Sequence, residues 1–236
     1  MNKTTDDKWI PAHWTFENKA VAERFNRHVR EQLPWYDHLM NCIVLTGAHY
    51  IPRNGLVYDD GASTGNVGRA LAPYLLDRKA TLVSIEPAKE MSANAKKAGL
   101  PPGRWVAEDA LKFKFEQFDF AVLNLVLMFM PVGKRAAFLR KLKSLLRPGG
   151  AIVVVDKVVA PAGYLGTVLR RMAIKWKLEA GAKPEEIVEK ELSLGGVQRP
   201  IGEFVIPSGA TEFFRFGEFA GWIIEQSEDE SLSFNS

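Results

Sequence analysis

Apolar residues follow two rhythms along this chain: a spacing of four near the start, then short continuous runs that alternate with helical stretches. Val21, Phe25, Val29 and Leu33 stand four apart, which places them on one stripe of a helix over 18–33. Trp14 and Phe16 precede that helix and Pro34 ends it, and a second short helix is expected over 36–46. Pro52-Arg53-Asn54-Gly55 reads as a turn. Beyond it the pattern predicts strands over 56–59, 81–86, 104–108, 118–124 and 151–156. Helices are expected over 65–76, 89–98 and 134–146, the last stopped by Arg147-Pro148-Gly149-Gly150. The run 118–124 is apolar throughout, as expected of a strand buried on both faces.

After Val159 the alternation stops. Two helices are expected over 165–180 and 184–192, then a strand pair over 213–216 and 219–225 turning through Gly217-Glu218. The stripe Val168, Met172 and Trp176 reads as helix packing. Repeated strand–helix units imply an α/β fold, a Rossmann-like doubly wound sheet of seven strands, mostly parallel, with an antiparallel terminal pair. Residues 1–50 are expected to form an N-terminal helical cap. Residues 51–226 form the sheet domain with a helical lid inserted at 160–195, and 227–236 a polar, disordered tail.

Composition narrows the picture only slightly. Hydrophobic residues at 47% and charged residues at 25% suit a folded domain of 236 residues rather than a disordered chain. No apolar run approaches the roughly 18 residues of a membrane span, residues 1–8 are polar, and the single cysteine, Cys42, forms no internal disulfide. A reducing cytoplasm is the expectation. The net charge of +3 is small, although basic residues gather over 134–147 and 170–177, so RNA contact is one expectation to weigh against a solvated helix face. The four histidines have no metal-ligand spacing.

Chemistry concentrates where the first strand meets the first helix of the sheet domain, at Gly61-Ala62-Ser63-Thr64-Gly65. A dinucleotide fingerprint needs G-x-G-x-x-G, and positions 61, 63 and 66 carry Gly, Ser and Asn. The same residues spell the G-x-S-x-G elbow of α/β-hydrolases, with Ser63 as nucleophile, but the base histidine of that fold follows its serine. Here His13, His28, His38 and His49 all precede Ser63, which removes that reading. Asp59-Asp60-Gly61-Ala62-Ser63-Thr64-Gly65 also resembles the D-x-G-x-G-x-G loop of class I methyltransferases that bind S-adenosylmethionine (SAM), with serine in the middle glycine slot. Glu86, Asp109 and Asn124 end the next three strands, where ligands of open α/β sheets bind.

The chain resembles one branch of that superfamily, the carboxy-SAM synthases of the tRNA wobble-uridine 5-oxyacetate pathway, over most of residues 14–226. The resemblance rests on Trp14-Thr15-Phe16, Val21-Ala22-Glu23, Phe25, Pro34 and Tyr36. It continues through Val57-Tyr58-Asp59, Val122-Leu123-Asn124, Pro148-Gly149-Gly150, Asp156-Lys157, Glu186-Ile187, Lys190 and Phe216-Gly217. It implies cofactor contacts at Tyr36, Gly61, Ala62, Ser63, Glu86, Asp109, Ala110 and Asn124, with Asp59 and Gly65 added by the loop motif. It further implies SAM as cofactor, S-adenosylhomocysteine (SAH) as product, and a homodimer. At one position the chain departs from the family. The synthases place an arginine after a lysine to hold the carboxylate of carboxy-SAM, and here the pair is Lys190-Glu191. A glutamate repels a carboxylate, and Arg199 could replace the arginine only if its loop folds back. Methyl transfer near Asn124 to a small molecule or RNA is therefore the leading expectation. Carboxy-SAM synthesis as in the tRNA pathway is the alternative, and a non-catalytic SAM sensor or RNA-binding module is the reading from outside catalysis.

Overall fold

The computed structural model describes residues 9–226, so the expectations about residues 1–8 and the tail 227–236 lie outside the described residues. Seven strands form one sheet: β1 Leu56–Asp60, β2 Thr81–Ile85, β3 Arg104–Val106, β4 Phe118–Asn124, β5 Leu146–Lys157, β6 Thr211–Phe216 and β7 Phe219–Glu225. Their order is β3-β2-β1-β4-β5-β7-β6, with β7 and β6 antiparallel and the rest parallel. Seven helices accompany them: α1 Lys19–Gln32, α2 Tyr36–Tyr50, α3 Asn66–Asp77, α4 Lys89–Lys97, α5 Arg135–Leu145, α6 Tyr164–Glu179 and α7 Pro184–Ser193. The doubly wound class and the terminal antiparallel pair follow the expected pattern. Among the described residues no helix is long and apolar enough to cross a membrane.

Strand alternation sorts the core into two layers. Ala121 and Leu123 of β4 face Phe138, Leu139 and Leu142 of α5, while Phe120 and Val122 face Leu71 of α3 and Ile43 of α2. The helix α2 therefore packs in the same layer as α3 against the sheet. The cause is close packing. A Cβ on Gly47 would meet Leu71 at 2.8 Å and Phe120 at 3.3 Å, so the bare glycine lets α2 sit against both α3 and β4. The Trp9–Trp14 stretch and Val21 and Ala22 of α1 pack with Met91 of α4, while Val29 of α1 joins the α2 layer.

Two other elements differ from the pattern. β5 starts at Leu146, paired with Phe118, and carries Arg147-Pro148-Gly149-Gly150 through a register shift instead of starting at Ala151. Arg147 meets Asp119 at 2.7 Å, and a Cβ on Gly150 would lie 2.5 Å from the Asp119 carbonyl, so the irregular stretch is held against its neighbour. Of the stripe Val168, Met172 and Trp176, Trp176 packs on Phe216 and Val168 is half-buried, while Met172 is exposed and α6 has no fully buried residue. Between α7 and β6, residues 200–210 hold a single 3-10 turn, Glu203–Val205.

Candidate functional site

The strand order reverses between β1 and β4, and a cavity of about 710 Å³ opens at their carboxyl ends. Its floor is the loop between β1 and α3. Gly61 and Gly65 have φ of 66° and 83°, and Ser63 shares the left-handed region at 53°. A Cβ on Gly61 would meet Val126 at 2.7 Å, so only glycine lets the backbone pass there. Ser63, the residue in a glycine slot, is held in this conformation by its amide, which donates to Glu86 Oε2 at 2.7 Å. Its hydroxyl lies 3.8 Å from the Met91 sulfur, and no base is bonded to it among the described residues. The hydrolase geometry is not present.

Glu86 follows β2 immediately and its second oxygen accepts from the Ala88 amide at 2.8 Å. Burial pushes its carboxyl above the usual range, and these two amides pull it back toward ionisation. Asp109 lies three residues past β3, with Oδ1 accepting from the Leu111 amide at 2.9 Å. Asn124 closes β4 and its Oδ1 is buried without a partner. Tyr36 opens α2, and its hydroxyl accepts from Asn66 Nδ2 at 3.2 Å. All eight positions implied by the family resemblance border this one cavity: Tyr36, Gly61, Ala62, Ser63, Glu86, Asp109, Ala110 and Asn124.

The two positions added by the loop motif do not border it. Asp59 is fully buried under the loop, where burial, opposed by the Gly68 amide and reinforced by Glu86, pushes its carboxyl up to about 7. Gly65 sits behind the loop against Arg69 and Pro101. Both serve the loop's shape. Among the remaining candidates, Glu191 borders the cavity and Arg199 does not. The Arg199 amide donates to the Met128 carbonyl at 2.9 Å, so its loop is tied down while its side chain stays exposed.

The structure also brings in residues that the chain pattern did not assign to the site. Asn26 of α1 accepts from Thr64 Oγ1 at 2.8 Å and from Asn66 Nδ2 at 2.9 Å, which fastens α1 over the loop. His28, on the same face of α1 as Val21 and Phe25, borders the cavity. A polar residue in register with the apolar stripe was the available signal. From α6 come Arg170, Trp176 and Lys177. Trp176 stacks on Phe216 with ring centroids 4.3 Å apart, and Lys177 meets Glu191 at 3.2 Å. Burial pushes the Glu191 carboxyl up, but Lys177, Lys157 and Arg170 outweigh it and hold the group below the usual carboxylate range. The cavity thus runs from an acidic side, Glu86 and Asp109 beside β2 and β3, to a mainly basic side beyond β5.

A family model described as a methyltransferase domain matches residues 59–154, which span the loop and the strands that carry Glu86, Asp109 and Asn124. Curated relatives include the carboxy-S-adenosyl-L-methionine synthase of Staphylococcus epidermidis, 29% identical over 192 residues, 81% of this chain and 84% of that protein. The enzyme of that name from Shewanella piezotolerans is 25% identical over 210 residues, 85% of this chain and 86% of its own. Among solved structures, the DhpI–SAH complex shares the fold at TM-score 0.55 and 16% identity, over 95% of this chain and all of that one (100%). Human N-acetylserotonin methyltransferase in complex with SAM does so at TM-score 0.52 and 14% identity, over 96% of this chain and 63% of that chain. With a methyltransferase-domain match laid over the cavity-forming strands, this chain is similar to carboxy-S-adenosyl-L-methionine synthases and shares the fold of a solved methyltransferase.

Proposed function

We propose that the protein binds SAM in this cavity and transfers its methyl group to a small, largely apolar acceptor. The residues present fit the cofactor on three counts. The Gly61 backbone leaves space that a Cβ would fill, Glu86 offers a carboxylate beside the loop, and the Asn124 Oδ1 is buried without a partner. Glu86 would accept the ribose hydroxyls, Asp109 and Ala110 would meet the adenine, and Asn124 and Tyr36 would face the methionyl part. SAM supplies an activated sulfonium methyl, so the protein's task is to align a nucleophile and exclude water. Apolar residues such as Phe129, Met130 and Ile174 supply that dry wall.

The observation that favours methyl over carboxymethyl chemistry is Glu191. Its carboxylate occupies the cavity wall, ion-paired to Lys177, where the resembling synthases are expected to present an arginine. A carboxylate on the cofactor would meet like charge there. The test is mass spectrometry of the nucleoside extracted from purified protein. SAM or SAH is the expected result, and carboxy-SAM would overturn the proposal. Glu191→Arg should then gain affinity for carboxy-SAM by about tenfold, the scale of one charge-assisted pair.

A further inference from the structure

One corner of the cavity is polar but unused by the residues assigned to SAM. His28 is 4% exposed and borders the cavity, yet neither ring nitrogen has a hydrogen-bond partner. Trp9 and Trp14 bracket its ring, with centroids at 4.6 and 5.8 Å. From α7 the Lys190 ammonium lies over the Trp14 ring and borders the same space. Lys190 has no ion-pair partner among the described residues, because the adjacent Glu191 carboxylate is engaged by Lys177 at 3.2 Å and Arg170 at 3.9 Å. Three cations, Lys157, Arg170 and Lys177, and the Lys190 amine border this side against two carboxylates, Glu191 and Glu218. A buried imidazole without partners and a half-buried amine without a counter-ion are both unfavourable as they stand. A ligand oxygen carrying negative charge satisfies both.

We infer that His28 and Lys190 form an oxyanion subsite for the acceptor, whose reacting group is an acidic hydroxyl, a phenol or enol, on a flat apolar skeleton. Trp14, Phe129 and Trp176 wall the space with aromatic surface suited to such a skeleton. The groups facing the pair are Arg27 from α1, Arg170 and Lys177 from α6 and Glu191 from α7, with Glu186 turned to Trp9 Nε1 at 3.4 Å. Burial, then Lys177, push the Lys190 amine down to about 5 against the pull of Glu191. Burial, then Lys190, Lys177 and Arg27, push His28 down to about 3. Both are neutral near pH 7 in the empty cavity. The amine of Lys190 takes the hydroxyl proton, which leaves an ammonium–oxyanion pair with His28 donating its ring N–H to the same oxygen. The oxygen–methyl bond then forms as the sulfur–methyl bond breaks, SAH leaves as the neutral thioether, and the proton departs from Lys190 with product.

The inference rests on the methyl-transfer reading, and its test keeps the two apart. SAH-loaded protein is titrated with 4-nitrophenol, whose anion is coloured, and with 4-nitrobenzoate and 4-nitrobenzyl alcohol. Bound 4-nitrophenol should ionise about one pH unit or more below the free probe, and the alcohol should bind at least about tenfold more weakly. Lys190→Met should abolish the shift, and His28→Leu should reduce it. The wild-type shift needs no variant, so misfolding of either variant leaves the test intact. Binding of the phenol in its neutral form, or no binding, would overturn the subsite. An unchanged shift in folded Lys190→Met would do the same. Tighter binding of 4-nitrobenzoate that depends equally on Lys190 would overturn the hydroxyl assignment in favour of a carboxylate. Calorimetry of SAH on the same samples separates the failures: retained SAH binding without probe ionisation sinks the subsite alone, and absent SAH binding sinks the methyl-transfer reading.

Discussion

Glu86 carries two duties with one carboxylate, holding the Ser63 and Ala88 amides while facing the cavity. Hydrogen bonds to a charged group contribute roughly 1.5–3 kcal/mol each, so its removal disturbs both fold and ligand. Glu86→Ala should lower SAM affinity by at least about tenfold in calorimetry and also lower the melting temperature. Unchanged affinity would remove Glu86 from the cofactor site. Lys190 gives a prediction of opposite sign. Its ammonium is disfavoured in the fold by burial and by Lys177, so its folded value lies near 5 against 10.5 when unfolded. The unfolded chain then binds more protons between those values, and wild-type stability falls as pH drops through that window. Lys190→Met should therefore be the more stable protein at pH 7 by roughly 1 kcal/mol or more, with the difference vanishing toward pH 10 in denaturant titrations. A difference that grows toward pH 10 would sink this account. Strand ends made Glu86, Asp109 and Asn124 legible in the chain, because a parallel sheet delivers its strand termini to one edge. His28 and Lys177 were not legible in that way. Each sits on a helix whose docking angle, rather than its sequence, decides which residues face the cavity.

At the level of elements, the glycine loop is set by backbone geometry and the lid by sparse packing. Gly61→Ala must place a Cβ at φ 66° and 2.7 Å from Val126. The left-handed conformation alone costs roughly 1–2 kcal/mol for a residue with a Cβ. The variant should melt lower and lose SAM affinity together, whereas Gly99→Ala, also at positive φ but with open space around it, should only melt lower. α6 contrasts with the loop. It has no buried residue, and its anchor is Trp176 on Phe216. Trp176→Ala should raise the acceptor KM severalfold and leave SAM affinity within about twofold, as expected when one interfacial aromatic is lost from a lid. An equal loss of SAM affinity would place Trp176 in the cofactor site instead. Apolar spacing located α6 and α7 to within a residue or two, since periodicity reports helix existence well. It could not tell how fully α6 is covered, because a stripe says which residues share a face and not how much of that face is packed: Trp176 meets Phe216 while Met172 stays exposed. The start of β5 was missed for a related reason: Pro148-Gly149-Gly150 is turn-forming locally, and only the pairing of Leu146 with Phe118 draws it into the sheet.

On the scale of the whole molecule, three parts distant in sequence meet around one cavity. Trp35, between α1 and α2, packs on Phe214, Phe216 and Phe219 of the terminal strand pair with ring centroids 4.9–6.1 Å apart. The Trp14 amide donates to the Ser193 carbonyl at the end of α7, at 2.9 Å. The sheet class was legible from strand–helix alternation, whereas this closure was not, because it depends on contacts across more than 150 residues. Its consequence is measurable. A ligand that binds only the closed, folded state adds RT ln(1 + [L]/Kd), about 2.7 kcal/mol at a hundredfold excess over Kd. SAH should raise the melting temperature by several degrees, and hydrogen exchange should slow where the closure is made, in α1, the Trp9–Trp14 stretch and α7. Exchange in the core strands β4 and β5, already buried on both faces, should slow only in step with global stability. Protection confined to the β1–α3 loop, with α1 and α7 unchanged, would show that the cofactor occupies a cavity that α1 and α7 do not close.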